Sequence, residues 1–166
     1  MHTYHRGSNE SLKPIGYVDV NYGGDSRTRQ LTSGYIFKMA GGAVSWSSKL
    51  QATVALSTAE AEYVALTRAA QQALWMHAFL GEIGLDQLLP TILYCDNASA
   101  IMLALSTKGH QQAKHIDIRH HYIHEHVSNG QIALQHVPSV DNIADVFTKA
   151  LMKALHINNM KGLYGF

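Results

Sequence analysis

The sequence predicts an α/β fold: a mixed sheet that opens with a three-strand antiparallel meander and is covered by helices. Three observations predict it. Near the start, three runs rich in β-branched and aromatic residues, IGYVDVNYGG, LTSGYIFKMAGG and AVSWSSK, follow one another across glycine or polar turns. A stretch from Thr58 to Leu80 then carries apolar residues at helical spacing behind a serine cap. After it, the short apolar runs TILYC and QIALQHV alternate with further helical patterns, which requires crossovers rather than hairpins.

Taken in order, the first dozen residues, MHTYHRGSNESL, are polar and without period, so residues 1–13 read as a flexible segment with the look of a cut junction. Residues 14–166 form one domain. Strands are expected over 15–24, 31–42 and 43–49. The helix that follows begins with a capping box, Ser57 to Glu60, and ends at Gly81 or Gly84. Its buried stripe runs Glu62, Ala65, Leu66, Ala69, Ala73, Met76 and Leu80. Glu60 and Glu62 lie about 200° apart on that helix and cannot play the same part. Glu60 belongs to the cap, whereas Glu62 heads the buried stripe and needs a metal, a cation or a hydrogen-bond network. Pro90 precedes the strand 91–95, and a short helix spans 98–105. A polar loop then leads to a histidine-rich helix over 115–128, stopped by Asn129-Gly130. The strand 131–137 is closed by Pro138, and DNIADVFTKALMKAL, with apolar residues at helical spacing, makes the last helix.

Totals narrow the function. In 166 residues, 46% hydrophobic, there are 13 Lys+Arg against 12 Asp+Glu, and a net charge of +1 argues against polyanion binding by bulk charge alone, though not against a local basic groove. The absence of an apolar run of about 18 residues or of a signal-like start argues against membrane spanning and secretion. The single cysteine, Cys95, excludes an internal disulfide and suits a reducing compartment. Eleven histidines, six of them between His110 and His126, are the unusual count.

Three acids stand where elements can bring them to Glu62: Asp19 inside the apolar first strand, Asp96 at the C-terminal end of TILYC, where open sheets place their sites, and Asp145 early in the last helix. Each alone has an ordinary reading. Asp96 can cap a helix, Asp19 can pair with an arginine, and Asp145 can sit on a solvated face. Four together, in the order strand Asp, helix Glu, strand Asp, helix Asp, point to a site.

The series GYVDVNYGG, SGYIF, AVSWSSKLQ, STAEAEYVAL, YCDNASAI, KHIDIRHHYI and HVPSVDNIADVFTKAL resembles the ribonuclease H domain of copia-type LTR retrotransposon polyproteins over about residues 15–166. KHIDIR with AD-x-x-TK carries the specificity. The resemblance implies a ribonuclease H-like fold, with a five-stranded mixed sheet, and hydrolysis of the RNA strand of RNA–DNA hybrids at Asp19, Glu62, Asp96 and Asp145. It implies an adjoining reverse transcriptase domain as partner and an intracellular setting in the cytoplasm, within a virus-like particle. Four converging carboxylates repel unless divalent cations neutralise them, and hard oxygen ligands select two Mg²⁺ ions, or Mn²⁺, over zinc. His136 is similar in placement to a family histidine that assists proton transfer or product release, and reads equally as an outward strand residue. Cellular ribonucleases H carry asparagines just before the helix glutamate; here those places hold Thr58 and Ala59. Ser47, Ser48, Lys49 and Gln51 are candidate replacements for gripping the hybrid, or an ordinary hydrophilic hairpin exit. Lys114, His115 and Arg119 are candidates for phosphate contact. Asp117, His120, His121 and His124 have a spacing that suits zinc, while Ile116, Ile123 and Val127 explain the same helix by packing. Integrase and exonuclease readings fail on the order of the acids and on Asp19-Val20-Asn21. A non-catalytic or weakly active accessory module of a reverse transcriptase is the remaining alternative.

Overall fold

The structure, a computed structural model, describes residues 12–21, 31–51, 57–86, 90–106 and 114–164, with side chains omitted at 114–118 and 120. Its sheet has five strands: β1 (Ile15–Asn21), β2 (Thr32–Met39), β3 (Gly42–Leu50), β4 (Thr91–Cys95) and β5 (Ile132–His136). Their order is β3-β2-β1-β4-β5. β1, β2 and β3 pair antiparallel, and β4 lies parallel to both β1 and β5. The β2–β3 hairpin turns at Ala40-Gly41, both at positive φ (52° and 83°), the signature of a tight turn that matches strand twist.

Among the described residues there are four α-helices: α1 (Thr58–Glu82), α2 (Ala98–Leu105), α3 (Lys114–Ser128) and α4 (Lys153–Tyr164). Alternation along each strand splits the core in two. Val18, Val20, Phe37 and Leu93 face α1, whose alanines 61, 65, 69, 70 and 73 are buried and let the helix lie close to the sheet. Ala100 and Ala104 of α2 and Ile123 of α3 close that side. On the opposite face, Ile36 and Ala43 pack with Ala144 and Leu163. Gly34 is required here by close approach: a Cβ would meet Thr148 Cγ2 at 2.7 Å and Phe147 Cβ at 2.9 Å.

Most expected elements are present within a residue or two; part of the expected first strand, residues 22–24, lies outside the described residues. The last helix is a correction. The expected single helix through DNIADVFTKALMKAL is a 3₁₀ turn (Ser139–Asp141), a 3₁₀ helix (Ile143–Phe147) and, after a break, α4. Asn142 is the cause: wholly buried, it donates from Nδ2 to Val18 O at 2.9 Å and accepts from Ala144 N, so the segment is fastened to β1 before an α-helix can propagate.

Candidate active site

Asp19 lies in the middle of β1, 2% exposed, on the face covered by the 3₁₀ helix. Parallel pairing puts Val18 beside Cys95, so Asp96, the next residue, leaves the sheet next to Asp19. Asp96 does not cap α2; Asn97 does, accepting from Ala100 N at 3.0 Å, which leaves the Asp96 carboxylate for the site. Glu62 stands one turn inside α1, 7% exposed, behind the Ser57 cap that accepts from Glu60 N at 3.1 Å. Asp145 is 2% exposed, held by the 3₁₀ helix rather than turned to solvent on a polar helix face.

The four acids converge. Oxygens of Asp19, Asp96 and Asp145 lie within 4.8 Å of one another, and a Glu62 oxygen, Cys95 Sγ and an Asp96 oxygen form a second such group. Burial pushes the Glu62 carboxyl up to about 9, with the charges of Asp19 and Asp96 adding to it. Burial likewise raises Asp19, against the Thr148 hydroxyl and Lys149, and raises Asp145 to about 6 against Lys149. Burial keeps the Cys95 thiol protonated, with the Glu62 charge adding to the upward shift.

Three neighbours to which the sequence analysis gave no role in the site complete the cluster, Thr148 and Lys149 being the TK of AD-x-x-TK. Lys149 Nζ is 2.9 Å from Asp145 Oδ1 and 3.8 Å from Asp19 Oδ2. Burial lowers the Lys149 ammonium, but the Asp145 and Asp19 carboxylates outweigh it and hold it charged. Thr148 Oγ1 donates to Asp19, and Ser139 Oγ donates to Asp96 Oδ2 at 2.6 Å. Thr148 and Lys149 follow Asp145 at i+3 and i+4, a spacing that could have marked them.

The remaining candidates scatter. His136 is exposed at the end of β5 with Nε2 3.2 Å from Asp96 O, so it stands at the rim of the acid cluster. Ser48 donates to Phe147 O at 2.5 Å and thereby ties β3 to the 3₁₀ helix, while Ser47 and Lys49 face the α1 side. Gln51 is a correction: 1% exposed, it donates to Ser33 Oγ and Ala61 O at 2.6 and 2.9 Å, clamping β3 to β2 and α1 rather than offering a substrate contact. Arg119 is half-buried with Nη1 shielded from solvent, near enough to Tyr63 to oppose the burial that raises its hydroxyl. The side chains of Lys114, His115, Asp117 and His120 lie outside the described residues.

The donor set fits divalent cations. It is all carboxylate apart from a protonated thiol, and Glu62 Oε2 is buried without a hydrogen-bond partner.

This strand order with these crossovers defines the ribonuclease H fold. LC11-RNase H1, isolated from compost by a metagenomic approach, superposes with a TM-score of 0.60 at 18% identity, over 82% of this chain and 93% of that one. The same protein in complex with an RNA/DNA hybrid gives 0.59 at 16% identity, over 82% and 94%. No family model matches the sequence. The Retrovirus-related Pol polyprotein from transposon TNT 1-94 of Nicotiana tabacum is 43% identical over 145 residues, 87% of this chain and 11% of that protein. That from transposon RE1 of Arabidopsis thaliana is 34% identical over 148 residues, 89% and 10%. By sequence, then, the chain is a homologue of retrotransposon Pol polyproteins, as its motifs led us to expect, and it spans about a tenth of the length of these relatives.

Proposed function

We propose that this domain hydrolyses the RNA strand of RNA–DNA hybrids in the reverse transcription of a retrotransposon, beside a reverse transcriptase domain of the same polyprotein. The observation that carries this reading is the convergence of Asp19, Glu62, Asp96 and Asp145 at one end of a ribonuclease H sheet. Two Mg²⁺ ions, or Mn²⁺ in their place, would be held by those four carboxylates. Bound there, they supply the Lewis acidity for in-line displacement at a phosphodiester.

The chain's own groups prepare the rest. Ser139 and Thr148 fix the rotamers of Asp96 and Asp19 by donating to one oxygen of each carboxylate. In the hydrolysis, the water gives up a proton to solvent as its oxygen joins phosphorus, the P–O3′ bond breaks and the leaving oxygen takes up a proton. His136, exposed and hydrogen-bonded to the Asp96 carbonyl, would exchange that proton with solvent. The hybrid and the Pol setting are supported by the hybrid complex of the LC11 enzyme and by the Pol relatives. No described helix is long and apolar enough to cross a membrane.

Cleavage of an end-labelled RNA–DNA hybrid in Mg²⁺ and in Mn²⁺, with duplex DNA, duplex RNA and single-stranded RNA as controls, tests the proposal. Wild type should cut the hybrid alone, and Asp96→Asn should lose at least about a hundredfold. Equal rates in wild type and variant would end the assignment. One observation favours a weakly active accessory module instead: the Lys149 ammonium already lies among the acids. Hybrid binding without cleavage would select that reading.

A further inference from the structure

We infer that the cleft between β3 and α1 binds a single strand of nucleic acid, gripping a phosphate with Arg68 and Lys49 and stacking a base on Trp75. The cleft encloses about 450 Å³ and, among the described residues, its walls carry two cations and no carboxylate. That is a local positive site on a chain whose net charge is only +1.

The side chains are arranged for such a ligand. Arg68 is half-buried, and its Nη1 is shielded from water without a hydrogen-bond partner, a donor awaiting an acceptor. The Tyr35 hydroxyl, which donates to Gln72 Oε1 at 3.4 Å, lines the floor beside it. Trp75 is 59% exposed and Phe79 46%, with rings parallel within 6° and centroids 5.4 Å apart. A supported indole face in water beside two cations is a stacking platform, because any unpaired base can lie on it while the cations hold its backbone. Bases inside a duplex are already stacked, so the occupant is single-stranded.

The cleft is separate from the acid cluster. Tyr35, Ser47 and Lys49 face α1, whereas Asp19 and Asp145 lie on the opposite face, and the Asp19–Gly34–Ser48 register puts β3 two strand spacings, roughly 10 Å, from Asp19. Its occupant therefore lies on the face of the sheet that does not carry Asp19 and Asp145. The inference rests on the proposed hydrolase only in expecting nucleic acid to be near.

The test is fluorescence anisotropy of a labelled twelve-nucleotide oligo-dT with the full chain in EDTA, alongside quenching of tryptophan emission. Trp75→Ala and Arg68→Gln should each weaken binding about tenfold, and Trp75→Phe should keep most of it. Lys49→Gln should reduce the salt slope by roughly 0.7. Binding within twofold of wild type in both Trp75→Ala and Arg68→Gln, or no binding by wild type, overturns the inference. Wild-type cleavage of hybrid is measured separately. A protein that binds oligo-dT through these residues but cuts nothing sinks the hydrolase and keeps the cleft. One that cuts hybrid, yet binds oligo-dT regardless of the substitutions, does the reverse.

Discussion

Replacing Glu62 by glutamine should stabilise the metal-free protein at alkaline pH. The Glu62 carboxyl is 7% exposed, its Oε2 has no hydrogen-bond partner, and burial raises it from 4.5 to about 9. Between those values the folded state holds a proton that the unfolded chain has released, so stability is full below about 4.5 and falls as pH rises towards 9. At pH 8 the proton uptake spans about 3.5 pH units, a ceiling of about 5 kcal/mol at roughly 1.4 per unit. Side-chain relaxation and water entering the rim should leave about 2 kcal/mol of it. Glutamine keeps the shape and needs no proton. Urea unfolding in EDTA should show Glu62→Gln more stable than wild type by about that amount at pH 8, and within about 1 kcal/mol of it at pH 5. With Mg²⁺ the order should reverse, because only the ionised glutamate gains from a bound cation. A variant no more stable than wild type at pH 8 in EDTA would refute the argument that Glu62 is held at an electrostatic cost.

Lys149→Met removes the cation between Asp145 and Asp19; the metal-free protein should lose about 1–3 kcal/mol in thermal unfolding. In calorimetric titration the variant should bind Mg²⁺ several-fold more tightly, and an unchanged affinity would show that lysine and metal do not compete. Gly34→Ala forces a methyl against Thr148 and Phe147, and should cost about 1–3 kcal/mol by chemical denaturation while hybrid cleavage falls, since the displaced segment carries Asp145. An alanine variant of wild-type stability would mean that the segment yields without strain.

Much of this was legible because it is local. The meander announces itself by β-branched runs between turns, and α1 by its cap and stripe; the same stripe made Glu62 conspicuous as a charge where apolar residues belong. Asp96 was legible from its position at a strand end. Asp145 was grouped with the other acids through the family resemblance but expected in a different element, because its local pattern is helical and what overrides it, Asn142 reaching Val18, spans 124 residues. Gln51 misled for a related reason. A glutamine in a hydrophilic hairpin exit looks exposed, and only the arrival of Ala61 from α1 buries it. Lys149 needs both carboxylates in place before its role can be seen.

The fastening of Asp145 governs when the acid cluster can form. Thr148 meets Asp19 across 129 residues, and Asn159 of α4 donates to Asn142 O at 3.4 Å. Such distant partners close late, after the meander and α1 have formed, because the loop entropy is lost before the contact returns anything. A chain cut before residue 142 keeps Asp19, Glu62 and Asp96 but lacks Asp145, so the Asp19–Asp96–Asp145 grouping cannot form. On the hydrolase reading proposed above, cleavage would wait until residues 142–159 have docked on β1 and on one another.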